Sequence, residues 1–136
     1  MKIMVGYDKS NASKEAVKYA KKHAAAFNAK VYLVTSVSQS RELEMEDIQK
    51  VEAGLKALKR SFKSDKIDCE AYAKVSALSP GECLVEFALE NDIDEIFIGV
   101  RRRSKVGKLL LGSNAQYVIL KANCPVVAVK LPRSGT

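Results

Sequence analysis

Between Gly99 and Ser113 the chain reads GVRRRSKVGKLLLGS, which places five basic side chains, Arg101, Arg102, Arg103, Lys105 and Lys108, between a glycine and a glycine-serine pair. A loop of this kind offers an anion free backbone N–H groups, positive charge and a helix N-terminus together. The acids Asp94 and Glu95 and the apolar run Ile96-Phe97-Ile98 lead in, and Ser113-Asn-Ala-Gln116 leads out with the spacing of a capping box. The segment reads as a phosphate-binding loop between a buried strand and a helix. It is not a Walker A loop, because Arg102 stands where the first glycine belongs and Leu109 follows Lys108 where a hydroxyl residue would hold magnesium. No G-x-G-x-x-G dinucleotide fingerprint occurs either.

The 136 residues fit one domain, expected over 1–130 with 131–136 as a flexible tail, and 47% hydrophobic residues suffice to fill its core. The net charge is +7, which raises nucleic acid as a partner, but five of those charges lie in the basic loop and only +2 remains elsewhere. Aromatic residues do not interleave with basic ones as a stacking surface requires, so a focused anion site is the better reading. No apolar run is long enough to span a membrane, and Met1–Gly6 turns into a strand without a signal-peptide plan. The three cysteines, Cys69, Cys83 and Cys124, are odd in number and widely spaced, as reduced thiols are. The expected location is the cytoplasm.

Strands and helices alternate along the chain. Lys2–Val5, Val31–Val37, Ile67–Val75, Glu95–Ile98 and Pro125–Lys130 read as strands, the third alternating apolar and polar as at a sheet edge. Helices are expected after a Ser10 or Asn11 cap, with Ala16, Val17, Ala20, Ala24 and Phe27 on one side, and around Ile48, Val51, Leu55, Leu58 and Phe62. A third begins at Ser79-Pro-Gly-Glu82, and a fourth covers Ser113–Ala122. The order βαβαβαβαβ implies an α/β fold, a doubly wound parallel sheet with right-handed crossovers and helices on both faces. Such sheets bind ligands beyond the carboxyl ends of their strands where the order reverses. If strands one and four flank that point, the Tyr7-Asp8-Lys9-Ser10 turn faces the basic loop. Asp8 would then accept hydrogen bonds from a ribose or an exocyclic amine; it serves equally well as a turn or capping residue.

Three segments carry a family resemblance over nearly the whole chain: the opening strand ending in Asp8, the glycine-containing segment before the last helix, and Asn-Cys-Pro-Val-Val-Ala-Val at 123–129. The sequence resembles the universal stress protein family. That family's nucleotide-binding members carry G-x2-G-x9-G-[ST], and Gly99, Gly112 and Ser113 fall at its positions while Arg102 occupies the second glycine. The resemblance implies a five-stranded sheet in the order 3-2-1-4-5 and ATP, AMP or a related adenine nucleotide as ligand, with magnesium arriving only with the nucleotide. It also implies a homodimer through the last strand, Val126, Val127, Ala128 and Val129. Carried over by position, Gly6, Tyr7, Asp8 and the backbone of Val37 would hold base and ribose, Gly99 would pass under the ribose, and Gly112, Ser113 and Asn114 would take phosphates. Arg101, Arg102 and Arg103 add positive charge there. Arg102 either grips phosphate as a bidentate donor or, where positive φ or close backbone approach is needed, blocks it.

A catalytic reading is weaker. The sole histidine, His23, lies within the first helix with no paired nucleophile, and Glu42, Glu44, Glu46 and Asp47 suit the start of a helix better than a metal. The expectation is a regulatory nucleotide-binding protein and not an enzyme. The alternative is a nucleotide-free dimeric interaction module whose basic loop meets an acidic partner.

Overall fold

Ile3, Met4 and Val5 are all completely shielded from solvent, and residues buried on alternating sides must belong to a strand covered on both faces. In the computed structural model, which describes residues 1–101 and 111–132, they form β1 (Lys2–Gly6) at the centre of a parallel sheet. The chain continues through α1 (Asn11–Phe27), β2 (Lys30–Ser38), α2 (Met45–Ser64), β3 (Cys69–Ser76), α3 (Pro80–Glu90), β4 (Glu95–Val100), α4 (Ser113–Lys121) and β5 (Val126–Lys130). The strand order is β3-β2-β1-β4-β5, as expected, and it reverses between β1 and β4. The register sets Val5 between Leu33 of β2 and Phe97 of β4.

Odd-numbered residues of the central strands, such as Ile3, Val5, Leu33 and Phe97, pack under α1 and α2; Met4, Val34, Ile96 and Ile98 pack under α3 and α4. α1 approaches closely because Ala16, Ala20 and Ala24 face the sheet, and Leu55 and Phe62 anchor α2. The Ser10 hydroxyl accepts from the Ser13 N–H at 3.1 Å. Ser79 does the same for Glu82 at 3.3 Å and donates to its carboxylate at 2.8 Å, with Pro80 as first helical residue. At the start of α2 the Glu44 N–H donates to Asp47 at 3.1 Å, so part of the acidic cluster serves the helix end.

Four local expectations are corrected. β4 does not stop before Gly99; it runs to Val100, because Gly99 and Val100 pair with Val129 and Lys130 of β5. The capping box at Ser113 does not form: Gly112 is the cap residue, Ser113 is the first helical residue, and the Gln116 amide turns back to the Leu111 carbonyl at 3.0 Å. Phe27 is 62% exposed, since the chain leaves the sheet at the left-handed Asn28 (φ 53°), and its ring lies edge-on to His23. Ile67 closes α2, its N–H bonded to the Phe62 carbonyl at 2.9 Å, and does not begin β3. Residues 102–110, with Arg102, Arg103, Lys105 and Lys108, and residues 133–136 of the expected tail lie outside the described residues.

Gly99 is held by its surroundings. A Cβ there would sit 2.4 Å from the Ala12 carbonyl carbon and 2.5 Å from the Ser13 nitrogen, both backbone atoms of α1 that no rotamer change can clear. Gly99→Ala is therefore expected to destabilise the fold by about 3 kcal/mol or more, the upper end of overpacking costs. Urea denaturation checks this, and a cost within experimental error would show that α1 does not rest on β4.

Candidate functional site

Where the strand order reverses, the carboxyl ends of β1, β2 and β4 and the starts of α3 and α4 enclose a cavity of about 210 Å³. Its floor is apolar, made by Val34, Leu84, Ile98 and Val118. Gly6 lets Leu84 close over β1, since a Cβ there would lie 2.8 Å from a Leu84 methyl. Polar residues complete the lining: Tyr7, Asp8, Ser13, Ser36 and Asn114. An apolar floor with a few convergent polar groups is the usual make-up of a small-molecule site.

The segment after β1 is fixed from both sides. The Tyr7 N–H donates to the Val34 carbonyl at 2.9 Å, and the Thr35 hydroxyl donates to the Tyr7 carbonyl at 2.7 Å. Asp8 Oδ1 accepts from the Ser10 N–H at 2.9 Å, which makes Asp8 a turn residue, and Lys9 turns the chain into α1 with a left-handed φ of 66°. The other carboxylate oxygen stands 3.9 Å from the Arg101 guanidinium, across the mouth from β1 to β4. Partial burial pushes the Asp8 carboxyl up, but the bonds from Ser10 and Ser13 and the charge of Arg101 outweigh it, and the net shift is downward. The Tyr7 hydroxyl is pushed up, first by burial and then by the Asp8 charge.

Of the site residues expected from sequence, Gly6, Tyr7, Asp8, Gly99 and Asn114 meet at this cavity; Arg101 is outside the lining, 3.9 Å from Asp8. Val37 does not line it; the preceding residue, Ser36, does. Gly112 and Ser113 are exposed at the start of α4 beside Asn114 and are not part of the lining. Asn114 uses its side-chain oxygen to accept from the Gly81 N–H at 2.9 Å, joining the starts of α3 and α4. Gly112 has an ordinary φ of −64°, and a Cβ there would meet nothing within 4 Å, so nothing in the described fold calls for glycine. Ser13, Val34, Ser36, Pro80, Leu84, Ile98, Ala115 and Val118 were missed. For Ser36 a signal existed: it shares a strand face with Tyr32 and Val34 by the two-residue period.

Ser36 has the most unusual environment. Its hydroxyl is buried, and among the described residues it has no hydrogen-bond partner. His23 lies at the other end of the sheet, its Nδ1 3.1 Å from the carboxylate of Glu95, the first residue of β4.

The family model described as "Usp: Universal stress protein family" matches residues 1–130. The chain belongs to the universal stress protein family. Universal stress protein MJ0531 of Methanocaldococcus jannaschii is 33% identical over 97% of this chain and 83% of its own length. A universal stress protein structure from Archaeoglobus fulgidus is 31% identical with a TM-score of 0.83, covering 96% of this chain and 93% of that one. Another from Archaeoglobus fulgidus, solved in complex with dAMP, is 30% identical with a TM-score of 0.79 and covers 96% and 98%. Like these relatives, the present universal stress protein has an α/β fold; none of its described helices is long and apolar enough to cross a membrane.

Because the folded-state pKa of Asp8 is lowered, its stabilising contribution is present above the unfolded-state pKa and is lost as pH falls through the folded one. Arg101→Ala is expected to move the Asp8 titration upward while leaving other carboxyls in place. Carboxyl carbon NMR across the acid range measures this, and an unmoved Asp8 curve would remove Arg101 from its surroundings.

Proposed function

We propose that this universal stress protein is a regulatory protein that binds ATP, AMP or a related adenine nucleotide in the cavity between β1 and β4. The observation that carries the reading is the Ser36 hydroxyl, buried without a partner among the described residues, on a residue that lines a cavity with an apolar floor. An adenine ring supplies the two things this arrangement lacks: a flat apolar face for Val34, Leu84, Ile98 and Val118, and polar edge atoms for Ser36. Gly6, Tyr7, Asp8 and the backbone of Val37 would complete the base and ribose contacts beside Gly99. Phosphates would lie towards Gly112, Ser113 and Asn114, where an open glycine and the N–H groups of α4 suit an anion, with Arg101, Arg102 and Arg103 as the positive flank. The dAMP-bound relative supports the same ligand class. Magnesium would accompany ATP through its phosphates.

Binding without rapid turnover is proposed, because the histidine best suited to activate water is at the far end of β4. The cytoplasm is the proposed location, and three free cysteines suit a reducing compartment.

At a nucleotide concentration a hundred times Kd, linkage adds about 2.7 kcal/mol to stability, which a thermal melt reads directly. Ser36→Ala is expected to weaken AMP binding by about two- to tenfold, one neutral hydrogen bond, without lowering the stability of the free protein, since the hydroxyl it removes has no partner among the described residues. The absence of any shift with millimolar ATP, ADP or AMP would favour the nucleotide-free interaction module.

A homodimer through Val126, Val127, Ala128 and Val129 is also proposed. β5 is an edge strand, and its Pro125 carbonyl accepts from Ile96 of β4, so by alternation the N–H of Ala128 points outward. Ala128→Pro should convert a dimer to monomer in sedimentation while sparing the ladder with β4. A wild-type chain that sediments only as a monomer would end this part of the proposal.

A further inference from the structure

The opposite edge of the sheet has an open backbone under a row of cations. Among the described residues β3 pairs with β2 alone. The Asp68 carbonyl accepts from the Val31 N–H, and the Ser76 carbonyl accepts from Gln39, so even-numbered residues turn their peptide groups towards β2. By alternation Cys69, Ala71, Ala73 and Val75 turn theirs outward. The side chains of Cys69, Ala71 and Ala73 lie on the α2 side, and they are small. Between them and α2 run two adjoining grooves of about 420 and 580 Å³, which share Lys56 and Lys59.

The helix presents Lys56, Lys59, Arg60 and Lys63 along this seam, all exposed and at helical spacing. Among the described residues none of the four has a carboxylate within 4 Å. Three acids share the seam, Glu52, Asp68 and Glu70. Glu70 is already engaged, 3.3 Å from Lys30 and accepting from the Tyr72 hydroxyl at 3.1 Å. That leaves cations in excess. The Cys69 thiol adds no charge, because burial pushes its pKa up to about 12.

The geometry points to a β-augmentation site: an extended acidic segment of a partner protein adds a sixth strand along β3 and directs its carboxylates at the α2 cations. Main-chain bonds to Cys69, Ala71, Ala73 and Val75 supply the docking, and alternate side chains of the added strand enter the groove over the two alanines. A flexible charged tail without strand character would use the cations and ignore the edge. The site is separate from the nucleotide cavity and does not rest on that reading.

The probe is a fluorescein-labelled eight-residue peptide of alternating Glu and Val, with a counterpart of the same charge interrupted by proline. Fluorescence anisotropy is expected to show binding of the first and at least ~tenfold weaker binding of the second, which cannot form a continuous ladder. Lys59→Glu with Lys63→Glu, both exposed, should weaken the first peptide by at least ~tenfold and steepen no other property of the fold. In the wild-type chain, hydrogen exchange at the Ala71 and Ala73 amides should slow on binding while that of Tyr72, already turned to β2, stays unchanged. No binding at millimolar peptide overturns the proposal. So does equal binding of the proline-interrupted peptide, which would mean simple charge attraction, or equal binding of an eight-nucleotide single-stranded DNA, which would mean a nucleic-acid face.

Discussion

The site depends on one close approach, that of the α1 backbone to Gly99 of β4. A helix crossing a sheet is normally held about a side chain away from it, but here the first turn of α1 sits where the Cβ of residue 99 would be. That contact fixes the height of Ser10 and Ser13, and through their bonds the position of Asp8. The alanine face of α1 continues the same economy of space down to Ala24. One wall of the cavity is thus set by backbone packing and not by adjustable side chains.

The two faces of the sheet are built differently. Under α1 and α2 the interior is filled by Ile3, Val5, Leu33, Phe62 and Phe97, all fully buried. Under α3 and α4 the filling stops short of the carboxyl ends of the strands, and there the sequence changes from Val34 to Ser36 along one face of β2. Leaving a hydroxyl buried without a partner costs roughly 1–3 kcal/mol, and a fold tolerates it most readily where something else is to meet it.

The alternation of strands and helices and the helix beginning at Pro80 were legible because each rests on local chemistry: an apolar run between turns, a serine cap, a proline at the first helical position; the order of the strands in the sheet came from the family resemblance. The end of β4 was not, since only pairing with β5 tells Gly99 to remain in the ladder. Nor was the role of that glycine. A loop glycine and a glycine crushed against another element look alike in sequence, and the difference lies in Ala12, far along the chain. Asp8 had two readings, ligand or turn; its Oδ1 bond to the Ser10 N–H shows the turn role, while Oδ2, 3.9 Å from Arg101, makes no bond within the turn, and Asp8 still lines the cavity. Ser36 was overlooked in favour of Val37 because motif positions name backbone contacts, whereas burial of a side chain appears only after the sheet is assembled.

The bond from Gly81 to Asn114 bears on the motions of the molecule. α4 has nine residues, too short to be stable alone, and among them only Val118 is fully buried. Its first turn is fastened to α3 by the Asn114 side chain and by the tight seat of Gly81, where a Cβ would lie 3.0 Å from the Asn114 carbonyl. The two helix starts therefore form one cooperative unit of modest stability beside a far better buried sheet. Widening the cavity on this side therefore requires the two helix starts to move together, because the Gly81–Asn114 bond and the tight seat of Gly81 join them.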